Sequence, residues 1–191
     1  MSSIDYYNKN AQAFYDRSIH ADLSEAYARF LKYLPPAAHI LDAGCGVGRD
    51  AKFFSDKGYN VMAFDASTEM VAMATKSLGR PVRLMSFDKI EFKSAFDAVW
   101  ATLSLIHVPY SQTRSVLGKI HAALKPDGIF FSSYKYGNAA MVVGEREFFN
   151  MTETSILPYF SGLFDSDLIN TQALAFVSEH APCMAVMDTE T

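Results

Sequence analysis

Residues 39–65 read HILDAGCGVGRDAKFFSDKGYNVMAFD and decide the fold. Positions 39–41 predict a buried strand, and the glycine-rich run 42–48 predicts the turn at its carboxyl end. The next segment spaces its apolar residues for one helix face, and a second apolar run at 61–64 predicts a strand that ends at Asp65. Together they form a βαβ unit, for which we expect parallel strands and a right-handed crossover.

The glycines of the turn indicate a ligand. Gly44, Gly46 and Gly48 allow positive φ and carry no Cβ, so a ligand can approach the backbone closely. In an open α/β sheet, ligands bind beyond the carboxyl ends of the strands. Asp65 follows the turn by about 20 residues, where a carboxylate accepts hydrogen bonds from a ribose diol. A nucleoside-containing cofactor is the direct interpretation.

Two cofactor classes fit such a unit. A dinucleotide fingerprint is G-x-G-x-x-G, but the third glycine position here is Arg49. Asp42 lies in the same turn, and an acid disfavours a pyrophosphate but suits an ammonium group. An NAD-dependent oxidoreductase is therefore the weaker alternative, and a glycine-rich turn without any ligand is another.

The run ILDAGCGVGRDA resembles the first motif of class I S-adenosylmethionine-dependent methyltransferases. The resemblance extends over about residues 5–150. It implies an α/β, Rossmann-like three-layer sandwich with a seven-stranded, mostly parallel sheet whose last strand is antiparallel. We expect a single domain over 1–191, in which 1–37 form an N-terminal helical cap over the cofactor mouth and 38–191 form the core.

The resemblance also implies which residues bind the S-adenosylmethionine cofactor and its product S-adenosylhomocysteine. Three of them have ordinary alternatives: Tyr7 as packing rather than a lid, Met70 as core, and Asp88 as turn chemistry. The expected cofactor residues are Tyr7, Asp42, Ala43, Gly44, Cys45, Gly46, Gly48, Arg49, Asp65, Ala66, Ser67, Met70, Phe87, Asp88, Ala101, Thr102 and Leu103.

The run FDAVWATLSLIHVP resembles a bacterial branch of small methyltransferases that includes relatives of tellurite-resistance proteins. We expect His107 to be catalytic as a general base or to bind the acceptor, because histidine titrates near neutrality; a purely structural role is the alternative. Tyr134, Lys135 and Arg146 are expected to wall the acceptor pocket. The two cations favour an anionic acceptor, unless they are ordinary surface charges in a solvated loop.

The remaining pattern completes the α/β alternation. Further helices are predicted at 4–17, 23–34, 112–124 and 152–164. Further strands are predicted at 82–86, 96–101, 129–131, 167–178 and 183–188.

Composition narrows the partners. A net charge of −4 without a basic run argues against a nucleic-acid partner, because a phosphate backbone binds clustered positive charge. No apolar run is long enough to span a bilayer. Cys45 and Cys183 lie far apart, which favours a reducing cytoplasm over a disulfide. No metal-ligand spacing stands out. We expect a cytoplasmic monomer or homodimer that methylates a small molecule; a non-catalytic, regulatory cofactor-binding protein is the alternative.

Overall fold

The computed structural model describes residues 2–164 and 183–188, the latter through their backbone alone. The helices are α1 (Ser3–Lys9), α2 (Ala11–Ser18), α3 (Ser24–Leu31), α4 (Arg49–Asp56), α5 (Thr68–Leu78), α6 (Tyr110–Ala123) and α7 (Glu153–Phe160), with short 3-10 turns at Phe87–Lys89 and Leu105–His107. The strands are β1 (His39–Ala43), β2 (Asn60–Asp65), β3 (Arg83–Leu84), β4 (Phe96–Thr102), β5 (Leu124–Tyr134), β6 (Ala140–Val143), β7 (Arg146–Phe149) and β8 (Cys183–Asp188).

The main sheet has the strand order β3-β2-β1-β4-β5-β8. Its first five strands are parallel, and β8 pairs with β5 in the antiparallel direction. The described residues therefore give this sheet six strands where seven were predicted. The additional strand predicted over 167–178 lies outside the described residues.

Alternate residues of the central strands bury opposite faces of the sheet, as the period of a strand requires. Leu41, Val99 and Phe130 pack on the side of α6 and α7. Ile40, Trp100 and Phe131 pack on the side that carries α3, α4 and α5. Helices thus cover both faces, and the predicted three-layer arrangement is observed.

The N-terminal segment differs from its prediction. A single helix was expected over 4–17, but the chain breaks at Asn10, whose Nδ2 and backbone N–H both donate to the Tyr6 carbonyl. An asparagine side chain competes in this way for the carbonyls that would continue a helix. The break gives two short helices, which can follow the rim of the sheet where one straight helix could not.

The segment 134–150, predicted as a loop, contains the two-stranded hairpin β6–β7. Val143 pairs with Arg146 across a two-residue turn, and Gly144 takes a φ of 62° there. Glycine at such a position is a standard hairpin signal. The hairpin places β7 beside the 3-10 turn that holds His107.

Candidate active site

A cavity of about 610 Å³ opens at the carboxyl ends of β1, β2 and β4. The glycine turn and Asp65 form one end, and His107 and Arg146 form the other. Helix α1 contributes Tyr7 to the wall between them. Because parallel strands present their carboxyl ends at one edge, residues distant in sequence meet here.

The glycine turn is fixed to the neighbouring strand. The backbone N–H groups of Gly44 and Cys45 both donate to the carbonyl of Phe64, at 3.0 and 2.9 Å. Gly44 has a φ of 76°, and a Cβ at this position would lie 2.5 Å from the Ser104 Cβ. Glycine is therefore required here both for conformation and for space.

Asp65 ends β2 with its carboxylate inside the cavity wall. Its two oxygens accept from the backbone N–H groups of Gly46 at 2.8 Å and Ser67 at 2.9 Å. Burial raises the pKa of Asp65, and these hydrogen bonds oppose the rise. A carboxylate oxygen has further acceptor sites beyond one N–H each. Asp65 can thus hold the turn and still accept from a ligand hydroxyl.

Asp50 lies under the turn in a hydrogen-bond network that the sequence did not indicate. Its oxygens accept from the Tyr27 hydroxyl at 2.6 Å and from Trp100 Nε1 at 2.8 Å. Arg49 Nε donates to the same carboxylate at 2.5 Å. Burial disfavours the charge on Arg49, but the ion pair outweighs it and raises the pKa of that guanidinium. The guanidinium of Arg49 therefore keeps its charge at the cavity wall.

Helix α1 is attached to both sides of the cavity. Asn8 Oδ1 accepts from the Ser67 hydroxyl at 2.7 Å and from the Thr68 hydroxyl at 3.1 Å, at the start of α5. On the opposite side, Ser3 Oγ accepts from the backbone N–H of Glu147 in β7 at 3.3 Å. Helix α1 therefore spans the cavity from α5 to β7, and we call it the strap.

His107 is held by two hydrogen bonds that define its tautomer. Nδ1 lies 2.8 Å from the carbonyl oxygen of Glu147, which can only accept, so Nδ1 carries the proton. Nε2 then accepts from the Tyr7 hydroxyl, 2.9 Å away. Burial, followed by the nearby charges of Arg146 and Lys135, lowers the pKa of His107 to about 4, although its bond to Glu147 acts the other way. The expectation that this histidine titrates near neutrality is thereby corrected.

Two cations contact Phe148 at the same end of the cavity. Lys135 Nζ lies 3.7 Å from the centre of the Phe148 ring, and the guanidinium carbon of Arg146 lies 4.9 Å from it. Arg146 also stacks on Tyr6, at 4.4 Å. Phe148 itself is buried, so both charges have a fixed apolar support.

Comparisons with known proteins agree with this geometry. A methyltransferase domain family matches residues 41–132, which include the glycine turn, Asp65 and His107. An uncharacterized methyltransferase of Staphylococcus carnosus is 26% identical over 176 residues, covering 84% of this chain and 85% of that protein. These matches support the resemblance to the class I S-adenosylmethionine-dependent methyltransferases. Two malonyl-[acyl-carrier protein] O-methyltransferases also match, but the chain spans only about half of their length, 45% and 52%.

Solved methyltransferase structures share the fold. A Burkholderia thailandensis 1,6-didemethyltoxoflavin-N1-methyltransferase, solved with its acceptor and S-adenosylhomocysteine, has a TM-score of 0.72 at 21% identity, covering 98% of this chain and 85% of that one. A TehB-like methyltransferase of Corynebacterium glutamicum has a TM-score of 0.68 at 20% identity, covering 98% of both chains. These matches show a shared fold and support S-adenosylmethionine as the cofactor.

Most of the predicted site residues line the cavity. They are Tyr7, Gly44, Cys45, Gly46, Arg49, Asp65, Ala66, Ser67, Met70, Phe87, Asp88, Thr102, Leu103, His107, Lys135 and Arg146.

Five predicted site residues lie outside the cavity wall, and their ligand contacts stay predictions. Ala43 and Ala101 are enclosed in the central strands, and Tyr134 turns into the core at the end of β5. A Cβ on Gly48 would meet Ala74 of α5 at 2.9 Å, so this glycine serves helix packing instead. Asp42 is buried beneath the turn, where burial and Asp50 raise its pKa well above the ordinary range.

The cavity wall also contains residues that the sequence analysis did not select. Phe14 lines the cavity beside Tyr7. Ser104 occupies the space that a Cβ at position 44 would need, and the Phe148 ring contacts Lys135 and Arg146. The hairpin signal at Gly144 could have indicated that β7 reaches the site.

The described residues contain neither a metal-binding cluster nor a membrane-spanning helix. No group of three or more histidine, cysteine or acidic side chains in residues 2–164 could hold a metal ion. Among the described helices, none has the length and apolarity needed to cross a bilayer.

Proposed function

We propose that this methyltransferase transfers a methyl group from S-adenosylmethionine to a small-molecule acceptor. The observation that carries the proposal is the continuity of one cavity from the glycine turn and Asp65 to His107 and Arg146. A donor at the first end and an acceptor at the second would meet near the carboxyl end of β4. The strap formed by α1 leaves this space suited to a compact molecule.

The residues at the first end fit the cofactor. Asp65, already held by two backbone N–H groups, would accept from the ribose hydroxyls. Met70 and Phe87 offer apolar surfaces for a flat base, and Asp88 at the rim would accept from its amino group. Arg49 occupies the third glycine position of the dinucleotide fingerprint, which disfavours NAD.

At the second end, we assign His107 to the acceptor side. Its neutral Nε2 accepts a hydrogen bond from Tyr7 and could accept one from an acceptor hydroxyl or amine instead. A pKa of about 4 makes this imidazole a weak base at neutral pH. Orientation of the acceptor through a hydrogen bond is therefore its proposed role, in preference to proton abstraction.

The chemistry asks little else of the protein. When bound, S-adenosylmethionine supplies an electrophilic methyl group attached to a sulfonium. The chain's residues hold the two reactants in line and exclude water, and such proximity can contribute about 7–11 kcal/mol. This explains why the site needs no nucleophile–base pair.

The acceptor must be identified on this chain itself. The relatives named above are called after different acceptors and different methylated atoms, so no acceptor can be carried over from them. The cavity volume of 610 Å³ falls within the range of about 300–1,000 Å³ found for small-molecule sites. The cytoplasmic location and the monomeric or dimeric state remain predictions.

The test is methyl transfer from cofactor labelled in its methyl group to a panel of small metabolites. We expect label to appear in at least one small product and to require intact Asp65. Cofactor binding without transfer to any acceptor would instead favour the regulatory alternative.

A further inference from the structure

The acceptor end of the cavity concentrates positive charge in a protein whose net charge is −4. Lys135 and Arg146 both lie over the same buried ring, Phe148, and both line the cavity. Burial and the neighbouring Arg146 lower the pKa of Lys135, which shows that the two charges oppose each other. Holding them together costs free energy that a bound anion would recover.

No carboxylate among the described residues neutralises this pair. The ion pairs of residues 2–164 lie elsewhere, and none of them includes Lys135 or Arg146. Glu145 and Glu147 flank Arg146 in sequence, and Glu147 also lines the cavity, but both residues are exposed and neither forms an ion pair with Arg146. The cation pair is therefore available to an anion that enters the cavity.

The orientation of Arg146 favours a planar anion. Its guanidinium carbon lies over the Tyr6 ring at 4.4 Å and over the Phe148 ring at 4.9 Å, so an anion would reach this group through its N–H donors. Its Nε–H is buried and has no hydrogen-bond partner. A carboxylate can accept from Nε–H and one terminal N–H together, and so satisfy this donor.

We propose that the methyl acceptor carries a carboxylate on an apolar body, with the carboxylate bound by Arg146 and Lys135. The apolar body would lie against Tyr7 and Phe148, between the cations and the cofactor end of the cavity. This inference rests on the proposed function, since it takes this end of the cavity as the acceptor site. It narrows the acceptor from any small molecule to a small carboxylic acid.

Three matched probes test the proposal on the full chain saturated with S-adenosylhomocysteine. Benzoate has the expected anion, benzamide has the same shape without charge, and phenyl phosphate has a different anion. Calorimetry gives their affinities, and the arginine Nε–H signals in ¹H–¹⁵N spectra locate the binding. The Arg146 signal is the one that disappears in R146K.

We expect benzoate to bind about tenfold more tightly than benzamide and to shift the Arg146 Nε–H signal, which benzamide leaves in place. R146Q and K135Q should each remove most of this preference. R83Q is the matched control, since Arg83 also stacks on a phenylalanine, Phe92, but lies outside the cavity wall. Unchanged S-adenosylhomocysteine affinity in all three variants would establish that they are folded.

Three results would overturn the carboxylate assignment: equal binding of benzoate and benzamide, tighter binding of phenyl phosphate, or no benzoate binding below about 10 mM. A failure of the proposed function looks different: either S-adenosylhomocysteine itself would not bind, or labelled S-adenosylmethionine would transfer its methyl group to no acceptor, charged or neutral.

Discussion

The Tyr7 hydroxyl lies 2.9 Å from His107 Nε2, and this contact joins the N-terminal strap to the turn after β4. The two residues are 100 positions apart. Because Nδ1 of the same ring donates to the Glu147 carbonyl, His107 connects three segments that surround one cavity. The neutral imidazole therefore adds to the contacts of Asn8 and Ser3 that hold α1 across the cavity.

Replacement of Tyr7 by phenylalanine tests the strap. Y7F removes one hydrogen bond and leaves the ring contacts with Phe14, so we expect affinity for S-adenosylhomocysteine to fall about fivefold, corresponding to about 1 kcal/mol. Calorimetry measures it. Y15F on the adjacent helix is the control, and an equal effect of both variants would mean that the hydroxyl of Tyr7 has no special role.

Replacement of Asp65 tests the ribose assignment. D65A removes a charged acceptor from the cofactor end, so we expect an affinity loss of about 10- to 100-fold, or about 1.5–3 kcal/mol. D56A, at an exposed position in α4, is the control. Thermal unfolding of D65A should accompany the titration, because Asp65 also holds Gly46 and Ser67. Wild-type affinity in a folded D65A would exclude Asp65 from cofactor binding.

Two alanine substitutions separate conformational strain from close approach. Gly58 has a positive φ of 88°, and a Cβ added there would meet no neighbouring atom. G58A should therefore lower the free energy of unfolding only through the strain of the left-handed conformation, by about 1–2 kcal/mol. G44A adds a collision with Ser104 and should cost about 1–3 kcal/mol more. Urea unfolding of both variants gives the difference. Equal costs would contradict the packing described for the turn.

The low pKa of His107 predicts how stability depends on pH. An unfolded chain takes up a proton at His107 near pH 6.5, whereas the folded chain resists it until about pH 4. The unfolded state thus binds more protons in this window, and the free energy of unfolding falls as the pH drops through it. In H107Q, the free energy of unfolding measured with urea should fall less between these pH values than it does in the wild type. An identical fall in both proteins would assign the pH dependence to other groups.

The local part of the site could be predicted from sequence. The turn at 42–48 and Asp65 belong to one βαβ unit, so short-range spacing determines their position. The family resemblance extended this to Phe87 and Leu103, which line the cavity as expected.

The acceptor end depended on long-range packing that spacing does not encode. Arg146 lies in a hairpin and stacks on Tyr6, which is far away in sequence. The same limit applies to Asp50, whose partners Tyr27 and Trp100 come from different elements. Burial explains the remaining differences from the sequence predictions. Asp42 and Tyr134 are buried outside the cavity wall, and burial lowers the pKa of His107.

The central claim is that the cavity binds S-adenosylmethionine, and calorimetric titration of the purified chain with S-adenosylmethionine, S-adenosylhomocysteine and NAD tests it most directly. We predict micromolar binding of the first two ligands and no binding of NAD. Binding of NAD alone would contradict the account of the glycine turn and of every residue placed around it.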